Sequence, residues 1–208
     1  MRIAKYNYNL LPNQFLSDSE LECSGLTQAE RVARQGGTIG YPAWNLLYYS
    51  LLSSLPSSSA TIVETGTSHG LTTIVLAQAL ANRAGGIVHT AEVDPHRVTV
   101  ATENIKLAGL SDLVKCHLGD GATILRQLAL EVIHFAFLDG CHSADAVFTE
   151  FEIVRPAIIA GSGMAAFDNA NSGPVNTAIQ DVLRVHGGNL IRFRNCSWSP
   201  PGVALWQP

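Results

Sequence analysis

Ile62-Val63-Glu64-Thr65-Gly66-Thr67-Ser68-His69-Gly70 is the stretch that decides the fold of this chain. A short β-branched run ends in an acid. Two glycines follow at E-x-G-x-x-x-G spacing, and an apolar helical pattern begins at once, from Leu71 to Leu80. That order reads as strand, tight turn and helix, the nucleotide-binding corner of a doubly wound α/β fold. Gly66 permits a sharp turn and lets the backbone lie against a ligand that a Cβ would strike. The spacing is not G-x-G-x-x-G, the dinucleotide fingerprint.

Outward from this corner, strand and helix patterns alternate. The strands expected are Thr61–Glu64, Ile87–Val93, Val114–Leu118, Ile133–Leu138, Gly163–Asp168, Leu190–Arg194 and Val203–Trp206. The helices expected between them are Leu71–Asn82, Pro95–Ala108, Gly121–Leu130, Ala144–Val154 and Val175–His186. This alternation predicts a mostly parallel sheet with helices on both faces. The last two strands flank Ser197-Trp198-Ser199-Pro200-Pro201-Gly202 with no helix between them, so they form a hairpin and the last strand runs antiparallel. The expected class is therefore α/β: a Rossmann-like, seven-stranded, mostly parallel sheet with an antiparallel last strand. Residues 1–57 read as an N-terminal helical cap, and 58–208 as the core of one domain. In the cap, Thr27–Arg34 carries a capping-box pattern, with Thr27 as N-cap and Glu30 three residues on. Tyr41–Leu55 is a second helix. Its aromatics Tyr41, Trp44, Tyr48 and Tyr49 pack on the core, line a substrate pocket or make a dimer contact.

Composition narrows the class. The chain has 208 residues, 47% hydrophobic and 14% charged, enough for one domain with a full core. A net charge near −4 and the lack of a basic stripe argue against a nucleic-acid partner. The four cysteines (Cys23, Cys116, Cys141, Cys196) form no C-x-x-C pair, which argues against a zinc site or a disulfide framework. Reduced thiols, a polar N-terminus with no signal core and the absence of a run of about 20 apolar residues suggest a cytoplasmic protein without a membrane span.

In open α/β sheets the ligand lies beyond the carboxyl ends of the strands. Five successive strand ends carry acids here: Glu64, Glu92, Asp120, Asp139 and Asp168. Any one of them alone reads as an N-cap or a surface charge; as a set they mark a site. Glu92 is placed to accept two ribose hydroxyls. Asp94, followed by Pro95, reads instead as a helix N-cap with Pro at N1. Asp120, in Gly119-Asp120-Gly121-Ala122, caps the next helix or, by the family resemblance given below, meets an adenine amine.

Phe137-Leu138-Asp139-Gly140-Cys141-His142-Ser143 and Phe167-Asp168-Asn169 carry the most specific signal. With the glycine motif, they make the chain resemble class I S-adenosylmethionine (SAM) methyltransferases. The likeness is to the small bacterial O-methyltransferases with an Asp-Gly-x-His motif (methyltransferase family 24), distant relatives of the catechol O-methyltransferases. It covers roughly residues 60 to 206. It implies that SAM sits against Glu64, Gly66, Thr67, Ser68, Gly70, Glu92, Asp120, Gly121 and Asp139. It further implies that Asp139, Asp168 and Asn169 hold a divalent metal, with oxygen donors that suit Mg²⁺. Catechol-type enzymes place a lysine base three residues after the first Asp. Here His142 stands there, as in the Asp-Gly-x-His relatives, and a histidine titrating near ~6.5 is a suitable base at neutral pH. Cys141 inside this loop reads as a packed thiol.

The resemblance implies SN2 methyl transfer to a hydroxyl of a small-molecule acceptor. Glu64 would help hold the SAM amino group, Asp139 and His142 would be catalytic, and the N-terminal segment would shape the acceptor pocket. Relatives are often dimers, so a homodimer is possible. One rival is a nicotinamide-dependent oxidoreductase, disfavoured by the missing fingerprint and the terminal hairpin. Another is a non-catalytic SAM-binding interaction protein, disfavoured by the intact acid set with His142. Methylation of nucleic acid lacks both a basic surface and an N-P-P-Y type motif.

Overall fold

The structure is a computed structural model that describes residues 39, 43–83, 85–194 and 202–208. Its elements in chain order are α1 (Ala43–Ser54), β1 (Ala60–Thr65), α2 (Leu71–Arg83), β2 (Gly86–Glu92), α3 (Pro95–Leu107), β3 (Val114–Leu118), α4 (Gly121–Leu128), β4 (Phe135–Leu138), α5 (Ala144–Ala160), β5 (Met164–Phe167), α6 (Gly173–His186), β6 (Asn189–Phe193) and β7 (Val203–Gln207). Every strand and core helix read from the pattern is present, with boundaries shifted by a few residues. The expected helix Thr27–Arg34, and Tyr41 at the start of the second helix, lie outside the described residues.

The strands form one sheet in the order β3-β2-β1-β4-β5-β7-β6. β1 to β5 run parallel, and β7 pairs antiparallel with both β5 and β6. The reversed strand thus lies one in from the sheet edge, with β6 outermost. Strand order reverses between β1 and β4, which makes the carboxyl ends of those two strands the switch point where such folds bind ligands.

The two-residue period of the strands builds two cores. Ile62, Phe135, Phe137, Ala166 and Leu205 face α1, α2 and α3. Val63, Ala136, Leu138, Phe167 and Trp206 face α4, α5 and α6. Full burial of the valine, isoleucine, leucine and phenylalanine side chains among them contributes about 1.5–3 kcal/mol each. Trp206 stands edge-on to Phe151 of α5 at 4.8 Å, and its indole N–H donates to the Gly187 carbonyl at 2.8 Å, which ties the hairpin to the α5 and α6 layer. On α1 the buried stripe is Ala43, Trp44, Leu47 and Leu51, and the Trp44 indole donates to the Thr72 hydroxyl of α2 at 3.1 Å. Tyr49 is 64% exposed, so the aromatics of this helix do not share one face. α4 stops at Leu128 because Ala129 turns left-handed (φ +45°). α5 runs past its expected end through Pro156, because Val154, Ala157 and Ile158 continue its buried stripe. Among the described residues no helix is long and apolar enough to cross a membrane.

One contact sets the spacing of the site. Gly66 has φ +85°, and a Cβ on it would lie 2.2 Å from the Asp139 carbonyl oxygen. Its N–H and that of Thr67 both donate to the Ala91 carbonyl of β2, at 2.9 and 3.2 Å. The loop after β1 is thereby wedged between the ends of β2 and β4. The neighbour that demands glycine is the protein's own backbone, where the sequence suggested a ligand. Gly66→Ala is expected to destabilise the fold by at least the ~1–3 kcal/mol of a strained backbone. Urea denaturation checks this, and an unchanged midpoint would contradict the wedge.

Candidate active site

The carboxyl ends of β1 to β4 border a cleft of about 360 Å³, in the size range of small-molecule sites. Thr65, Gly66, Ser68, Glu92, Asp120, Gly121, Asp139 and His142 contribute to its lining, so most of the residues singled out in the sequence converge on one cavity.

Glu92 is fixed at the wall. Its Oε2 accepts from the Ser68 N–H at 2.8 Å and its Oε1 from the Asp94 N–H at 3.0 Å. Ser68 adopts φ +49°, the left-handed turn that accompanies this bond. Asp94 caps α3 as expected, accepting from the His96 and Arg97 N–H groups with Pro95 at the helix start. Asp120 caps α4: its Oδ2 accepts from the N–H and the hydroxyl of Thr123, both at 2.9 Å. The capping reading therefore holds for Asp120, which also borders the cleft.

Two residues expected at the donor are turned away from it. Glu64 is 1% exposed and is not among the residues lining the cleft. Its position in β1 points it, with Ile62, toward the α2 side, and its Oε2 accepts from the hydroxyls of Thr73 and Thr90. It therefore does not reach a ligand's amino group from here. Thr67 is likewise buried, its hydroxyl 2.5 Å from that of Thr90. Gly70 donates to the Thr67 carbonyl at 2.8 Å and lies against Ala101 of α3, so its role is packing.

At the other end of the cleft a compact polar cluster forms. One donor atom each from Asp139, His142 and Asp168 lie within 4.8 Å of one another. His142 Nε2 is 3.2 Å from Asp139 Oδ1 and 3.0 Å from Asn169 Nδ2. The Asn169 amide donates to Asp168 Oδ2 at 2.6 Å. Asn169 holds φ +54°, a conformation asparagine tolerates better than most residues. As placed, its nitrogen faces the cluster, where the sequence reading had its oxygen. Burial drives the carboxyls of Asp139 and Asp168 well above the usual range, and the Asp139 charge raises Asp168 further. Two desolvated acids side by side favour a proton or a cation between them. His142 is the exposed member, with 47% of its side chain open to solvent against 11% for Asp139. Cys141 is exposed on the same loop, not packed.

Glu150 was missed in the sequence. It lines the cleft from the middle of α5, is 3% exposed and accepts from the Thr65 hydroxyl at 2.8 Å. The available signal was its place among Val147, Phe151 and Val154, an acid on the buried stripe of an amphipathic helix.

Residues 63–170, more than half of the chain, match the sequence profile of a family described as a methyltransferase domain. The chain belongs to this methyltransferase family. No curated protein matches it in sequence. Solved structures share its fold. The O-methyltransferase from Bacillus cereus in complex with SAH, the demethylated product of SAM, is 18% identical with TM-score 0.69, covering 92% of each chain. TomG, the O-methyltransferase of Streptomyces achromogenes involved in tomaymycin synthesis, solved with SAM, is 20% identical with TM-score 0.64, covering 92% of this chain and 96% of its own. The SAH-bound methyltransferase PaMTH1 of Podospora anserina is 13% identical with TM-score 0.70, covering 94% and 88%.

Burial pushes the Glu64 carboxyl up to about 7 from an ordinary 4.5, against the pull of Thr73 and Thr90, and its Oε1 has no partner among the described residues. The folded state then keeps a proton that the unfolded chain has released. This contribution to stability falls as pH rises from about 4.5 to about 7. Glu64→Gln is expected to remove that part of the fall, so its advantage over wild type grows across this window. Denaturation curves at a series of pH values test it; a constant difference between the two proteins would contradict a protonated Glu64.

Proposed function

We propose that this methyltransferase uses SAM as donor and methylates a hydroxyl oxygen of a small-molecule acceptor, assisted by a divalent cation, with His142 as base. The observation that carries this reading is the layout of one cleft. A fixed acid suited to ribose hydroxyls, Glu92, stands on its β2 wall, and an Asp-His-Asp-Asn cluster stands at its β4 and β5 end.

The strand order supplies the positioning. A donor whose ribose hydroxyls bond Glu92 would extend across the end of β1 toward β4. Its reactive end would then face the cluster. Holding donor and acceptor in line in this way accounts for much of the rate in a transfer whose donor is already activated.

The donor set fits a cation. Asp139 and Asp168 offer buried carboxylate oxygens whose ionised forms need compensating charge. Asn169 would add its amide oxygen after a half-turn of the amide. A divalent ion held there would supply Lewis-acid charge that eases the loss of a hydroxyl proton. His142, next to Asp139 yet open to solvent, is placed to take that proton and pass it to water. The net charge of −4 and the small cleft favour a small acceptor over a nucleic acid.

Transfer of a labelled methyl group from SAM to a panel of phenols, sugars and polyketide alcohols tests the reading. Asp139→Ala and Asp168→Ala are expected to lose at least about 100-fold in turnover while SAM affinity measured with a chelator stays within a few-fold. His142→Ala is expected to depress turnover by about 10²–10⁴-fold, the usual worth of a general base. Loss of SAM binding in both aspartate variants would contradict the division of the cleft. Wild-type turnover by the His142 variant at every pH would remove it as the base.

A further inference from the structure

Glu150 is a buried acid that the reaction just described leaves without a task. Several observations place its carboxyl in the lining of the cleft, at the end of β1. Oε2 accepts from Thr65, the last residue of β1. Oε1 occupies the space beside two glycines, Gly121 at the start of α4 and Gly140 in the loop after β4: a Cβ on Gly121 would lie 2.3 Å from it, and one on Gly140 3.4 Å. Thus the first residue of α4 and the loop after β4 both lack a side chain where this carboxyl comes through from α5. Burial raises the Glu150 carboxyl to about 7, with the Asp120 charge adding to the rise and the Thr65 hydroxyl and His142 opposing it. An acid poised in this way is readily converted to the carboxylate by a nearby positive charge.

The inference rests on SAM being the donor. With ribose at Glu92 on β2 and the acceptor beside Asp139 on β4, the atom carrying the methyl group must lie over the intervening strand, β1. That is where Thr65 and Glu150 meet. In SAM this atom is a sulfonium cation; in the demethylated product SAH it is a neutral thioether. We propose that Glu150 is a donor-site carboxylate that reads this charge, favouring SAM over SAH and so helping the spent donor to leave. The carboxylate attracts the cation through a desolvated, low-dielectric region, where a unit charge is felt much more strongly than in water. Once the methyl group is transferred, the attraction is gone and the buried carboxylate is again destabilised.

The test is calorimetric affinity for SAM and for SAH, with a chelator present, in wild type, Glu150→Gln and Glu150→Asp. Glutamine retains an acceptor for the Thr65 hydroxyl and removes only the charge; aspartate retains the charge. Glu150→Gln is expected to weaken SAM by about 10-fold or more while SAH changes by less than about 3-fold. Glu150→Asp is expected to retain a preference for SAM nearer to that of wild type. Equal losses for the two ligands would mark Glu150 as a structural prop and overturn the inference, as would an unchanged ratio in Glu150→Gln. If wild type binds neither ligand, the donor reading falls and this inference with it. If wild type binds both and only the ratio fails to respond, the donor reading stands and this inference alone falls.

Discussion

The site depends on the close approach of two backbones at the point where strand order reverses. The loop after β1 can lie against the loop after β4 only because Gly66 presents no Cβ to the Asp139 carbonyl. That contact brings the wall built on β2 and the cluster built on β4 and β5 into one cleft. The Thr65 side chain reinforces the same seam. Its hydroxyl lies 3.3 Å from the Asp139 N–H and donates to Glu150, so one residue links β1, β4 and α5.

Around this seam the chain gathers carboxyls that water does not stabilise. Glu64, Asp139, Glu150 and Asp168 are all raised by burial. They differ in what compensates them. Glu64 is compensated in part, at Oε2 only, by the hydroxyls of Thr73 and Thr90, and ties α2 to β1 and β2. Asp139 and Asp168 have one another, His142 and Asn169, an arrangement that balances best with a cation. Glu150 has a single hydroxyl and an opening to the cleft. Similar carboxyls therefore serve different ends, set by which face of a strand or helix carries them.

The central strands could be read from the sequence because β1, β4 and β5, buried on both faces, appear as short apolar runs that end at a turn or an acid. The cluster was legible through the family resemblance of two short loops, Asp139 to Ser143 and Asp168-Asn169, which the pairing of β4 with β5 brings together. Reading failed where orientation mattered. Glu64 and Thr67 belong to the expected motif, yet the pleat of β1 and the turn after it send their side chains inward. Glu150 lies eleven positions beyond Asp139 on a helix, and only the packing of α5 against the sheet returns it to the cleft. Asp120 was balanced between two roles because an N-cap and a ligand contact demand the same residue at a strand end; its hydrogen bonds to Thr123 make it the cap, and it borders the cleft as well.

On the proposed reading, the cleft along β1, β2 and β4 binds the donor independently of the cation cluster. Calorimetric titration of the wild-type protein with SAM in the presence of a chelator tests it most directly. Saturable binding of one SAM per chain is expected, little changed when Mg²⁺ replaces the chelator. A folded protein that binds no SAM in either condition would contradict it.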